Sequence, residues 1–142
     1  MRDQDVVEGL LRLERRSVAI YEALASSAEL RGRAAAAADL FLAHERRHVE
    51  ALKQALVTMN AAVPAPGSAG EQPAGAPREM IRTAIDHELR CIRSYHSGQV
   101  TLKAPTLLAG AAGTMANEAQ HLAFLRGLLG EDPVPVAFVT GR

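Results

Sequence analysis

The chain is poor in most of what sorts a sequence by inspection. It has one cysteine (Cys91), no tryptophan, five aromatic residues and no net charge, with 16 basic against 16 acidic side chains among 142 residues. A single cysteine excludes a disulfide framework and any cysteine-rich zinc or iron–sulfur site. Balanced charge argues against a nucleic-acid partner, which selects for a basic excess. No run approaches the roughly 20 apolar residues that cross a bilayer, so no membrane partner is expected. Met1 to Leu10 carries Asp3, Asp5 and Glu8 where a secretion signal needs basic and then apolar residues. A soluble, cytoplasmic, single-domain protein spanning 1–142 is the expectation. Few aromatic residues also disfavour a β-sandwich, whereas 27 alanines and many other strong helix formers point to an all-α fold.

Four helical stretches and one break cover nearly everything. Apolar positions recur at helical spacing over about 3–29 (Val7, Leu10, Leu11, Val18, Leu24, Ala28) and 33–60 (Leu40, Phe41, Leu52, Leu56, Met59). They recur again over about 78–102 (Ile81, Ile85, Leu89, Ile92, Val100) and 105–129. Gly32 reads as a C-terminal glycine stop for the first, Pro105 as a first-turn proline, and Gly130 as the end of the fourth. Gly98 and Gly113 weaken the last two. Residues 61–77 hold four prolines and three glycines, which forbid helix. At ~3.3 Å per residue that segment reaches roughly 55 Å, beyond the ~42 Å of a 28-residue helix. It is long enough to run the length of a bundle, and the other two connections are not. The pattern predicts two antiparallel hairpins joined by a crossover, a standard four-helix topology.

The chemistry lies in an internal repeat. The two tyrosines each follow a glutamate by seven residues, Glu14 to Tyr21 and Glu88 to Tyr95, so each pair shares a helix face. Downstream of each pair comes a Glu-x-x-His, Glu45 with His48 and Glu118 with His121, at offsets of 31 and 30 residues from the first glutamate. Chance would give about 0.4 such pairs in this composition, so two at matched offsets mark a repeat. Residues i and i+3 share a face, so each Glu-x-x-His aims a carboxylate and an imidazole at one point. Packed on these faces, four helices would bring four carboxylates and two imidazoles into the core. Arg12, Arg15, Arg16, Arg46 and Arg47 lie on other faces, so cations must be supplied from outside. Two divalent ions would cancel the charge; this donor mix suits iron or manganese, and zinc also fits it.

The constellation resembles the ferritin-like di-iron superfamily, which includes bacterioferritin and rubrerythrin: one Glu from each of two helices and a Glu-x-x-His from each of the other two. The resemblance spans roughly 5–130. It implies metal ligands Glu14, Glu45 and His48 in the first half and Glu88, Glu118 and His121 in the second, holding two iron ions. Tyr21 and Tyr95 match tyrosines that family members often carry beside the ligands, where they would hydrogen-bond bridging carboxylates or donate an electron. The run from Glu118 to Phe138 is also similar to bacterial ferritin-like-domain proteins related to desiccation-associated sequences. The implied activity is oxidation of ferrous iron with O2 or reduction of peroxide. Alternatives are a metal-stabilised structural or binding protein without turnover, and hydroxylation of an organic substrate. Cys91 and Ser17 stand where some relatives carry an extra carboxylate, which argues against a redox-dependent carboxylate shift. There is no rubredoxin-like domain, so peroxide reduction would need an external electron donor. The tail after Gly130 is too short for a long fifth helix, which disfavours a storage shell. Small bundles of this kind often pair, which makes a homodimer an expected assembly.

His44-Glu-Arg-Arg-His48 also spells the zinc-protease pattern His-Glu-x-x-His. No third ligand follows before the linker, and the repeat-related segment begins with Asn117 rather than histidine. His44 is therefore expected to be a solvated or interface residue, and His87 and His96 to be non-ligands. Cys91 is read as a small buried side chain.

Overall fold

The computed structural model describes residues 2–142. It contains four helices: α1 (Asp3–Ala25), α2 (Gly32–Thr58), α3 (Pro77–Gln99) and α4 (Pro105–Leu128). No strand occurs among the described residues, and none of their helices is long and apolar enough to cross a membrane.

The local chemistry explains the boundaries. Asp3 and Asp5 sit in the first turn of α1, where the free N–H groups favour negative charge. Pro77 and Pro105 each open a helix, their missing N–H being one no helix start could use. α2 and α4 end in the same way. Asn60 (φ 54°) and Gly130 (φ 74°) take the left-handed conformation, and the next N–H, of Ala61 or Glu131, donates back to the carbonyl of Leu56 or Arg126. Three expected boundaries need correction. α1 stops at Ala25 rather than 29, because Ser26 and Ser27 turn the chain by donating to the carbonyls of Glu22 and Leu24. Gly32 does not end α1; it is the first residue of α2, at φ 56°. α3 likewise ends at Gln99 instead of 102, where Thr101 and Leu102 both donate to the carbonyl of Gly98.

α1 packs chiefly on α2 and α3 on α4; α1 also packs on α3, and the α2–α4 seam is the loosest. Two apolar layers show how the helices run. One joins Ile20 and Leu24 of α1 to Phe41 of α2, Ile81 and Ile85 of α3, and Leu122 and Leu125 of α4. The other joins Val7 and Leu11 of α1, Leu56 of α2, Tyr95 of α3 and Ala111 of α4. The C-terminal half of α1 thus meets the N-terminal halves of α2 and α3, so α2 and α3 run parallel. The linker between them has to travel from one end of the bundle to the other, as its length predicts. Arg15 donates to the carbonyl of Pro64 at 2.8 Å, and Arg16 to those of Ala69 and Glu71, which straps the linker along α1. At the opposite end, Asp3 accepts from the backbone N–H groups of Lys103 and Ala104, both at 3.1 Å, tying the α3–α4 turn to the start of α1. Mid-bundle, between the two apolar layers, the core is polar.

Candidate metal centre

Each helix contributes to that polar centre from its middle turns: Glu14 from α1, Glu45 and His48 from α2, Glu88 from α3, and Glu118 and His121 from α4. All four carboxylates and His121 are buried, and His48 is nearly so. The six side chains form two overlapping groups, each with its ligand atoms within 4.8 Å of one another. Glu14 and His48 belong to one group, Glu88 and His121 to the other, and Glu45 and Glu118 to both.

The fit to a cation rests on the nitrogens and oxygens themselves. Nδ1 of His48 lies 3.0 Å from Glu118, 3.4 Å from Glu45 and 3.5 Å from Glu14. Nδ1 of His121 lies 3.0 Å from Glu45, 3.3 Å from Glu88 and 3.5 Å from Glu118. A ring N–H has one proton and cannot serve three carboxylates. Five buried carboxylate oxygens are consequently left without a hydrogen bond: Glu14 Oε2, Glu45 Oε1, Glu88 Oε2 and both of Glu118. Buried carboxylate oxygens are costly unless hydrogen-bonded or metal-bound, so these mark where cations fit.

The tyrosines brace the centre crosswise. Tyr95 of α3 donates to Glu14 Oε1 of α1 at 2.5 Å, and Tyr21 of α1 donates to Glu88 Oε1 of α3. They do not reach the two shared carboxylates, as expected above, but the two unshared ones. Each hydroxyl fixes one oxygen and leaves the other, Oε2, unpartnered. Burial, reinforced by the facing carboxylate, pushes both phenols well above their usual range, so they remain donors.

With protons as the only counter-charge, the cluster is electrostatically split. Burial opposes the charge on both imidazoles, but the surrounding carboxylates outweigh it and push His48 up to about 12 and His121 up to about 11. Burial drives Glu14 up to about 8 against the pull of His48. It also drives Glu118 well upward, helped by the charge of Glu88. Glu45 goes the other way: burial works to raise it, but His121 and His48 hold it at about 2.

The two halves differ around the histidines. His121 stacks on Phe41 with ring centroids 4.0 Å apart, and its Nε2 lies 2.9 Å from Nδ1 of His44. Of the two readings expected for His44, solvated or at an interface, its position agrees with the second: it is half-buried between α2 and α4 and parallel to His121 at 11°. Burial, then the neighbouring His121 and His48, push its basicity down, which suits it to accept a hydrogen bond. With the two Glu-x-x-His segments aligned, Glu45 matches Glu118, so Phe41 and His44 match Thr114 and Asn117. Asn117 donates to Gln120 instead of reaching His48. Beside His48, Thr114 helps line a cavity of about 230 Å³ along with Tyr95, Leu52, Leu107, Gly110 and Ala111. The asparagine at 117, where the first half has His44, is the sign of this difference in the sequence.

The remaining histidines and Cys91 stand apart. His87 is buried, 3.0 Å from Ser17 Oγ, 3.3 Å from the carbonyl of Leu13 and 3.4 Å from Cys91 Sγ, outside both ligand groups. Burial pushes the Cys91 thiol well upward, so it remains a neutral packing group. His96 is exposed. Arg12, Arg15, Arg16 and Arg46 line a groove beneath the linker, away from the carboxylates.

A model of the ferritin-like domain family matches residues 2–131. Among solved structures, the chain is similar to a ferritin-like, diiron-carboxylate protein from Bacillus anthracis str. Ames. The two share 20% identity and a TM-score of 0.76, over 89% of this chain and 94% of that one. No curated protein matches it.

Proposed function

The chain belongs to the ferritin-like domain family, and on that footing we propose that its buried cluster is a dinuclear non-haem iron centre, with manganese the second choice, that oxidises ferrous iron with O2 or reduces peroxide. The observation that carries this reading is the pair of four-ligand groups sharing Glu45 and Glu118. The solved relative, described as a diiron-carboxylate protein, supports it. Glu14 and His48 would bind one ion, Glu88 and His121 the other, and Glu45 and Glu118 both. Bound there, the ions would supply redox equivalents and a template for the oxidant.

The chain's own groups do the rest. Tyr21 and Tyr95 hold Glu88 and Glu14 by Oε1 and present Oε2 inward. His44 takes the hydrogen bond of His121 Nε2, which leaves Nδ1 free for ligation. The apolar layers on both sides restrict water and the loss of reactive species. Peroxide reduction at this centre would draw its electrons from an external donor.

The test is metal content after purification without added metal, followed by anaerobic Fe²⁺ titration and exposure to O2 or H2O2. Two metals per chain in the parent, lost in Glu45→Ala, with oxidant consumed faster than by free iron, is the expected result. Zero or one metal, unchanged in Glu45→Ala, overturns the centre. Two metals with near-equal stabilisation by Zn²⁺, Mn²⁺ and Fe²⁺, and no oxidant consumption, overturns the catalytic part and leaves a metal-stabilised structural protein.

A further inference from the structure

The repeat supplies its own measure of what is missing beside His48. In the first half, Phe41 lies four residues before Glu45, and its ring stacks on His121 at 4.0 Å and 25°. In the second half, the residue four before Glu118 is Thr114, and no aromatic ring lies among the residues around the His48 side except Tyr95, which is engaged by Glu14. The space is not refilled by the backbone. Gly110 sits one turn earlier, in the place of Ala37, and a Cβ built on it meets nothing within 4 Å. The resulting cavity of about 230 Å³ has walls from Val7 and Leu10 of α1, Leu52 and Ala55 of α2, and Leu107 and Ala111 of α4. It sits at the loosest seam of the bundle, between α2 and α4. His48 retains 13% of its side-chain surface whereas His121 retains 1%.

We propose that this cavity is a binding site for a small, uncharged, single-ring aromatic molecule, which stacks on His48 as Phe41 stacks on His121. The lining chooses the chemistry. The walls are mainly aliphatic and carry no Lys, Arg, Asp or Glu, and His48 is already engaged by the three carboxylates around its Nδ1, so an ionic ligand would lose its hydration without a free partner. The hydroxyls of Thr106 and Thr114 can accommodate one polar substituent on the ring. Size agrees: an apolar cavity of roughly 150 Å³ already holds benzene, so about 230 Å³ accepts a ring with a short substituent. The site goes beyond the metal-centre reading and does not depend on it, because the stacking partner is the imidazole face, whatever its Nδ1 binds. If that reading also holds, the ligand lies against the ion held by Glu14 and His48, in the place of a substrate or of an occupant that limits access.

The experiment is a toluene titration of the full-length ¹⁵N- and ¹³C-labelled chain, metal-free and again zinc-loaded, followed by NMR. Saturable shifts at the amides of Ala51, Ala55, Gly110 and Ala111, with upfield movement of the His48 ring protons and none at His121, are expected. Two variants fill the cavity from successive turns of α4: Thr114→Phe restores the ring found in the other half, and Gly110→Leu grows from a position where a Cβ meets nothing within 4 Å. Both should abolish the saturable shifts, while Gly113→Ala, outside the lining, should keep them. Failure of toluene to saturate those amides in the parent, or undiminished binding in Gly110→Leu or in folded Thr114→Phe, overturns the proposal. Toluene binding in a chain that takes up no metal would sink the metal centre and leave this site standing. Metal uptake without toluene binding would do the reverse.

Discussion

His48 and His121 occupy equivalent places in the two Glu-x-x-His segments, yet His121 is fully enclosed and His48 keeps an open side. His121 is gripped on its face by Phe41 and at its far nitrogen by His44. His48 has neither support, because Thr114 and Asn117 stand at the corresponding positions, and a cavity takes the place of the ring. The carboxylates and tyrosines around them, by contrast, keep the two-fold relation: Tyr95 serves Glu14 as Tyr21 serves Glu88. The donors to be aimed at an ion are matched, while the groups that hold each imidazole have diverged. In the proposed centre this makes the Glu88/His121 position the better organised one and the Glu14/His48 position the exchangeable one.

The harshest way to probe that comparison is to remove what the two positions share. Glu45→Ala or Glu118→Ala should cost both metals, whereas Glu14→Ala or Glu88→Ala should cost one. Metal content per chain after gel filtration distinguishes the two patterns, and equal loss in all four variants would mean that the glutamates do not divide as their geometry suggests. His44→Ala tests the asymmetry itself. Loss of an outer hydrogen bond to a ligating histidine typically costs about 10–100-fold in metal affinity, so one of two binding steps should weaken by that factor. His44→Gln, which keeps an acceptor, should recover part of it. If both steps weaken alike, His44 acts on the bundle as a whole.

How far the sequence reveals this follows from what each feature depends on. Helix periodicity, Pro77, Pro105, Gly130 and the long linker are local signals, and they place four helices and the crossover correctly. The early stop at Ser26 and the helix-starting role of Gly32 are not legible, because a serine turn and a glycine at positive φ serve equally well to end one helix or to begin another. The six side chains that the structure brings together stand out in the sequence because two Glu-x-x-His segments at matched offsets double a weak signal. His44 does not, since its role is to touch α4 from α2, a contact between helices without periodicity. The crosswise reach of the tyrosines was hidden for the same reason: sequence shows that Tyr21 shares a face with Glu14, but packing decides that it bonds Glu88.

Acidity offers a milder probe. In the metal-free chain His48 and His121 are raised to about 12 and about 11, and Glu14 to about 8, so folding binds protons that a metal must displace. Groups raised in this way stabilise the metal-free fold fully below their unfolded values, and that stabilisation is lost as pH rises through the folded ones. Glu45, held at about 2, contributes the opposite way, and its share is lost only as pH falls below the ordinary carboxylate value of about 4.5 toward about 2. The gain in Tm on adding Zn²⁺ should therefore widen between pH 5 and pH 8, with protons released on binding. A gain that stays flat over that window would show that metal does not compete with these protons.

The tyrosines should behave alike if the divergence is confined to the histidines. Tyr21→Phe and Tyr95→Phe each leave a buried carboxylate one donor short, at a cost of about 1–3 kcal/mol in the metal-free chain. Denaturant unfolding would detect it, and a large difference between the two would extend the asymmetry to the carboxylates.

The smallest effects separate the close-packed seams from the open face of α4. Gly98 and Gly113 both lie inside helices, where replacing glycine by alanine gains about 0.5–1 kcal/mol if nothing obstructs the new methyl group. A Cβ at Gly113 meets nothing within 4 Å, so Gly113→Ala should show that gain. At Gly98 the same atom would lie 3.0 Å from Cγ1 of Val6, a buried residue across the α1–α3 contact. Val6 can yield only by disturbing the apolar layer it shares with Val7 and Leu11, so Gly98→Ala should gain nothing or lose stability. Equal gains in the two variants would mean that the α1–α3 seam gives way as readily as open solvent, and that the tight packing at that end of the bundle does little to hold Tyr95 against Glu14.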